Sequence, residues 1–384
     1  MSKAKEKTTR IRNALDHKEP DRVPIGEFFW TNFTRRAKKE LNVGDDFDPY
    51  RHWDLDFIVL VPNMDPHIKS VEVVEQTPEH TVVKTGFEAT IEVRDTCPMP
   101  YYADFDTKTY ADMEAFVFDD PKDDRRYYEA IDDQINAVAD TLNRGIPSFM
   151  DRLNAYADDF CMFGSICEPH ETIWRILGTE NTLMKIGEDP GKVARFIERL
   201  GDFLVGVTEG QIAAADGKLS GLYIWGDVAY DRGMFFSPDY WRAVYKPQLA
   251  RICAVAHDAG LKVIYHGCGN ASVLFDDMIE AGVDAYNPLE AKAGLDVVDL
   301  KRQFGHRWAF NGNIDVRVLA TNDRDQVRRE VLRKLNAAKG GGFIVQSDHS
   351  MPDNVAPATY DYVRQLVREF GDYPLDLGEF DEEV

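Results

Sequence analysis

The sequence predicts an α/β fold, a (β/α)8 TIM barrel, on three observations. From residue 159 onward, short apolar runs alternate regularly with helical stretches. With two further runs near the N-terminus they make eight strand candidates, and polar or ionisable residues follow nearly every one. Eight parallel strands, each followed by a helix, close into a barrel whose active site lies at the carboxyl ends of the strands. A length of 384 residues suits one such domain, spanning 1–384 and carrying an insertion.

Residues 7–17 read as a short amphipathic helix, ended by the two prolines of 19–24 (EPDRVP). The run 25–30 (IGEFFW) is taken as the first barrel strand. The run 56–61 (DFIVLV), apolar as a strand buried on both faces must be, is the second. Residues 66–145 then break the rhythm. Alternation through Val71, Val73 and Val74, through 81–85 and through 89–93 predicts antiparallel strands over about 69–96, and a charged stretch over 109–145 predicts helices. The remaining barrel strands are expected at 160–164, 221–225, 262–265, 285–287, 308–310 and 342–345. Helices are expected over 189–214 and 238–258, the latter opened by Ser237 before Pro238 and closed by Gly260. The acidic tail 376–384 reads as a frayed end.

Composition narrows the function. Forty-five Lys and Arg against 67 Asp and Glu leave a net charge of -22, which repels nucleic-acid phosphates and anionic membranes. No run of 18 apolar residues occurs, and the first ten residues are charged without the apolar core of a signal peptide. A cytoplasmic protein with no nucleic-acid or membrane partner is expected. Five scattered cysteines (Cys97, Cys161, Cys167, Cys253, Cys268) do not form a secreted disulfide framework, so Cys268 is expected as a free thiol.

The strand ends carry the chemistry. His266 and Cys268 stand two apart at the end of a strand, where residues i and i+2 face the same way and an imidazole and a thiol converge. Alone, such a pair also suits a core histidine beside a buried cysteine. Glu290 and His349 follow later strands and add oxygen and nitrogen donors, a mixture that zinc accepts and magnesium or calcium does not. Asp348 is a substitute for either. The catalytic candidates at the same face are Asp227, Glu27 and Tyr230; Phe28, Trp30, Asn63, Glu168, Trp225 and Asn313 are the candidate substrate contacts. The aromatic members, with Phe29, Phe235 and Phe236, suit an aromatic substrate, although ordinary rim packing explains any one of them better.

Segments 18–24 (KEPDRVP), Gly226-Asp227 with 236–238 (FSP), 257–270 (HDAGLKVIYHGCGN) and 340–349 (GGGFIVQSDH) before Pro352 resemble the uroporphyrinogen decarboxylase-like barrels. These include the decarboxylase of haem synthesis, cobalamin-independent methionine synthase and corrinoid-linked methyltransferases. The resemblance implies a zinc site in which His266 and Cys268 match the His-x-Cys pair and Glu290 falls where the methionine synthases keep a glutamate. It implies a catalytic carboxylate at Asp227. His349 stands where that group has a second thiolate, and a site with one thiolate is nearer neutral and a stronger Lewis acid. The first-strand loop has no arginine before Arg35, which disfavours a porphyrinogen polyanion. The expectation is a zinc-dependent methyltransferase, moving methyl from a small methylated compound, foremost an aryl methyl ether, to a corrinoid protein that carries the cobalamin. A homodimer is the candidate assembly. The alternative is a metal-free decarboxylase or lyase of the same superfamily acting on a small carboxylate.

Overall fold

The computed structural model describes residues 2–94, 97–137 and 146–381. The last residues of the expected helical stretch, 138–145, and of the acidic tail, 382–384, lie outside the described residues. Thirteen strands are present among those described: β1 (Phe57–Val59), β2 (Glu72–Gln76), β3 (Thr81–Lys84), β4 (Ala89–Arg94), β5 (Cys97–Phe105), β6 (Cys161–Cys167), β7 (Gly221–Trp225), β8 (Ala229–Tyr230), β9 (Gly233–Met234), β10 (Lys262–His266), β11 (Ala285–Asn287), β12 (Ala309–Ile314) and β13 (Phe343–Ser347).

Seven of them form one parallel sheet in the order β1-β6-β7-β10-β11-β12-β13. The eighth stave, expected over 25–30, is interrupted: it pairs with β13 at Ile25–Val345 and again beyond β13 at Phe29–Met351. Gly26 donates to the Val345 carbonyl (2.9 Å), Val345 donates to Pro24 (2.9 Å), and Asp56 donates to Ile25 (2.9 Å), so residues 24–26 bridge β13 to β1 and close the sheet. The Asp56 carboxylate replaces further ladder bonds, accepting the Ile25 N–H (2.7 Å) as well as Arg22 and Arg10. Prolines at 20 and 24 deny this segment the donors of a longer strand. Past it, helix Thr31–Leu41 begins, with Trp30 at its N-cap position.

Inside the barrel, alternate residues of each strand point inward. Phe57, Val59, Cys161, Phe163, Tyr223, Ile264, Ala285, Ala309 and Ile344 pack together against Ile11, Ala14 and Leu15 of helix Lys3–Leu15, which plugs the amino-terminal end. Two residues further along the same inward faces come Trp225, His266, Asn287, Asn311 and Gln346. An apolar floor therefore carries a polar layer, and the strand ends lie above it.

Between β1 and β6 in the chain, β2-β3-β4-β5 form an antiparallel sheet. β5 lies beyond the strands expected over about 69–96 and carries Pro98 and Pro100. It is an edge strand, where a missing N–H is tolerated. The helix expected over 238–258 is continuous but contains a π-helical turn, Trp241–Tyr245, before Lys246–Asp258. Pro247 cannot supply an N–H, and the wider turn accommodates it. Ser237 accepts the Asp239 N–H at its start, and Gly260 ends it at φ +73°. Helix Pro190–Ala215 matches the other expected span within a residue. No helix among the described residues is long and apolar enough to cross a membrane.

Candidate metal centre

His266 is the last residue of β10, in register with Trp225 of β7 and Asn287 of β11. Its Nδ1 meets the Asn287 Oδ1 at 2.6 Å. An amide oxygen only accepts, so Nδ1 carries the hydrogen and Nε2 keeps a free lone pair. That Nε2 lies 3.7 Å from the Cys268 Sγ. Tetrahedral zinc with ligand bonds of about 2.0–2.3 Å places its ligands about 3.3–3.8 Å apart, so this pair already has the spacing of two ligands of one ion.

Two donor groups share the cysteine. Asp227, His266 and Cys268 form one; Cys268, Glu290 and His349 form the other; within each, the donor atoms lie within 4.8 Å of one another. The four expected zinc ligands therefore converge around one thiol, as two overlapping trios. Asp227, expected as a catalytic carboxylate, shares the first trio. The loops hold each other through backbone donors: the Cys268 N–H goes to Asp227 Oδ1 (2.8 Å) and the Gly269 N–H to Glu290 Oε2 (2.8 Å). Glu290 Oε1 pairs with Lys292 at 3.0 Å. Burial, and then the nearby carboxylates of Asp227 and Glu290, push the Cys268 thiol well above its ordinary pKa. Burial and the charge of Glu171 raise Asp227. A divalent cation would reverse both shifts by stabilising the anions. The donor set, the fixed histidine tautomer and the crowding of anions fit a zinc ion.

Asp348 is not interchangeable with its neighbours. Its two oxygens accept the N–H groups of Ala291 (2.9 Å) and Val316 (2.9 Å), so it ties the loops after β11, β12 and β13 together. It belongs to neither donor group.

The other expected site residues divide. Phe28 packs on Trp225 (ring centroids 5.4 Å), Trp225 on His266 (5.1 Å) and Trp30 near His349 (6.0 Å), so three aromatics border the candidate ligands. The Trp225 indole N–H has no acceptor among the described residues. Phe29 turns away, into the core with Phe33, Trp53 and Tyr360. Tyr230 sits on the β8–β9 hairpin, stacked on Phe235 (5.9 Å), 47% exposed and in neither donor group. Glu27 is buried, accepts the Ser347 hydroxyl (2.6 Å) and the Phe28 N–H (2.9 Å), and is pushed up to about 8 by desolvation. It is a neutral carboxyl behind the His349 loop, outside both donor groups; the Ser347 hydroxyl also contacts the His349 carbonyl.

Of the three remaining expected substrate contacts, Asn313 is engaged within the protein at both amide atoms, and Glu168 and Asn63 at one atom each. Glu168 caps helix Pro169–Leu177 through the N–H groups of His170 and Glu171. The Asn313 carboxamide is used by Val297, Lys334, Leu289 and Leu295, because Gly312 and Asn313 take positive φ and turn that side chain out of the barrel. Asn63 accepts the Asp65 N–H with Oδ1 in its own turn, while its buried Nδ2 has no acceptor among the described residues. Conversely, Asn287 was missed. A polar residue ending an otherwise apolar strand next to a histidine-bearing strand was the available signal.

The sequence profile of the Uroporphyrinogen decarboxylase (URO-D) family matches residues 104–370. No curated protein matches the chain. Among solved structures, a methyltransferase from Methanosarcina mazei is 14% identical, with 94% of this chain and 98% of that one covered and a TM-score of 0.60, a likeness of fold. A protein assigned as a vitamin-B12 independent methionine synthase from Listeria monocytogenes is 12% identical over 91% of this chain and 98% of its own, with a TM-score of 0.43.

Proposed function

The chain belongs to the uroporphyrinogen decarboxylase family, and on that premise we propose that it is a zinc-dependent methyltransferase. In this reading it takes methyl from a small methylated compound, foremost an aryl methyl ether, and passes it to the cobalt of a corrinoid partner protein. The observation that carries the reading is the convergence of His266, Glu290, His349 and Asp227 on the single thiol of Cys268. Zinc bound there would supply a Lewis acid for a substrate oxygen.

The protein's own groups supply the rest. Phe28, Trp30 and Trp225 offer flat apolar faces beside the ligand histidines, suited to an arene. The free Trp225 N–H can donate to a substrate oxygen, as it has no other acceptor among the described residues. Asp227, fixed by the Cys268 N–H in the same donor group as His266 and Cys268, can orient the substrate next to the metal as the methyl–oxygen bond breaks and the electron pair stays on oxygen. The net charge of -22 favours small or neutral substrates over polyanions.

The experiment has two steps. Metal analysis of purified protein should find about one zinc per chain, lost in Cys268→Ala. The zinc form, mixed with a reduced corrinoid protein and a panel of methoxyarenes, methylamines and methylthiols, should demethylate a methoxyarene and convert the corrinoid spectrum. Zinc-free protein, or Cys268→Ala that keeps both zinc and activity, refutes the reading. Carbon dioxide release from a small carboxylate by zinc-free protein would return the decarboxylase alternative.

A further inference from the structure

Behind the candidate ligands, on the outward faces of β10 and β11, stand two fully buried tyrosines, Tyr265 and Tyr286, with rings stacked at 6.0 Å and 15°. Each reaches one strand back. The Tyr265 hydroxyl donates to the Gly226 carbonyl (2.8 Å), and the Tyr286 hydroxyl donates to the Gly267 carbonyl (2.9 Å). The residue after each gripped carbonyl is a donor of the shared site, Asp227 in one case and Cys268 in the other. These are the peptides at which the sheet ladder runs out. Gly226 still donates to His266 (2.8 Å) and Gly267 to Asn287 (2.8 Å), but past them no parallel strand fixes the peptide planes. The hydroxyls fix them instead. The fit is close: a Cβ at Gly226 would come within 2.3 Å of the Tyr265 oxygen, and one at Gly267 within 2.8 Å of the Tyr286 oxygen.

We infer that Tyr265 and Tyr286 are positioning residues, a two-hydroxyl clamp that sets where Asp227 and Cys268 stand relative to each other and so tunes metal binding. The inference rests on the metal-site reading. Its division of labour is specific: Tyr286 holds the thiol side, Tyr265 the carboxylate side.

Tyr265→Phe and Tyr286→Phe keep both rings and remove only the hydroxyls. Each is expected to weaken zinc binding about ten- to a hundredfold, as loss of outer-shell partners does. With Co(II) in place of zinc, Tyr286→Phe should shift the sulfur-to-cobalt charge-transfer band, while Tyr265→Phe leaves that band in place and changes the ligand-field bands. Tyr127→Phe is the control. That buried hydroxyl bonds only helix and loop carbonyls, Pro121 and Val207, so it should lower the melting temperature without touching metal affinity or spectrum. Should a phenylalanine variant fail to fold, Gly267→Ala, which presses on the Tyr286 oxygen from the other side, should show the same charge-transfer shift. Wild-type affinity and spectrum in the tyrosine variants, with Cys268→Ala abolishing binding, overturns the clamp and leaves the metal site standing. A wild-type protein that binds neither metal overturns both.

Discussion

Replacing Glu27 with glutamine should stabilise this protein, and by an amount that depends on pH. The carboxyl is 3% exposed, accepts the Ser347 hydroxyl and the Phe28 N–H, and has no cationic partner; desolvation moves it from an ordinary 4.5 up to about 8. The native state thus keeps a proton that the unfolded chain releases. Stability from this group is complete below about pH 4.5 and is lost as pH rises toward about 8, at about 1.4 kcal/mol per unit. The loss reaches about 3 kcal/mol at pH 7 and about 4 kcal/mol at pH 8. A glutamine amide has no charged form, and its Oε1 keeps the Ser347 hydroxyl and the Phe28 N–H, while its NH2 replaces only the oxygen that accepts the longer Ser347 N–H bond (3.3 Å). Glu27→Gln is therefore expected to be more stable by up to about 3 kcal/mol at neutral pH, with the gap closing towards about pH 4.5. The assay is the urea midpoint of both proteins between about pH 5 and pH 8, read as a difference so that all other groups cancel. Parallel curves, or a gap that widens toward low pH, would refute the argument from desolvation. A stabilised variant that has lost methyl transfer would assign Glu27 to the chemistry.

Asn287→Leu removes the acceptor that fixes the His266 tautomer, and zinc affinity should fall about ten- to a hundredfold by equilibrium competition with a chelator; an unchanged affinity would remove Asn287 from the site. Zinc affinity should rise with pH across the neutral range, because Cys268 and Asp227 are both raised and must lose protons to bind; titration of affinity against pH and of protons released on binding checks the sign. Asp56→Asn leaves Arg10 and Arg22 buried without their shared carboxylate, and should cost about 3–5 kcal/mol in unfolding experiments while leaving zinc affinity intact in the folded fraction.

Much of the fold follows from local pattern. Continuous apolar runs separated by capped helices placed β7, β10 and β11 almost to the residue, since a strand buried on both faces has no freedom to be polar except at its end. The same logic marked the strand ends as the place for chemistry, and His266 and Cys268 as neighbours, because a two-residue spacing is a property of one strand. What failed were arguments that needed other strands. Asn313 looked like a substrate contact until the backbone turned at Gly312 and its amide was taken by Leu289, Leu295, Val297 and Lys334. Glu168 looked free until the helix it caps was in place. The eighth stave is reduced to separate bridges because Asp56, just before β1, satisfies the Ile25 N–H with a side chain.

By itself, then, the sequence determined the barrel, the face on which the candidate donors gather, and the His-x-Cys pair. Local spacing and burial period are written into consecutive residues. Only the tertiary structure decided that Asp227 joins His266 and Cys268 while Asp348 is spent on Ala291 and Val316, and that Asn287, Tyr265 and Tyr286 stand behind the candidate ligands. Those partnerships join residues on different strands, where register and the rotation of the last peptide planes, not sequence distance, set which atoms meet.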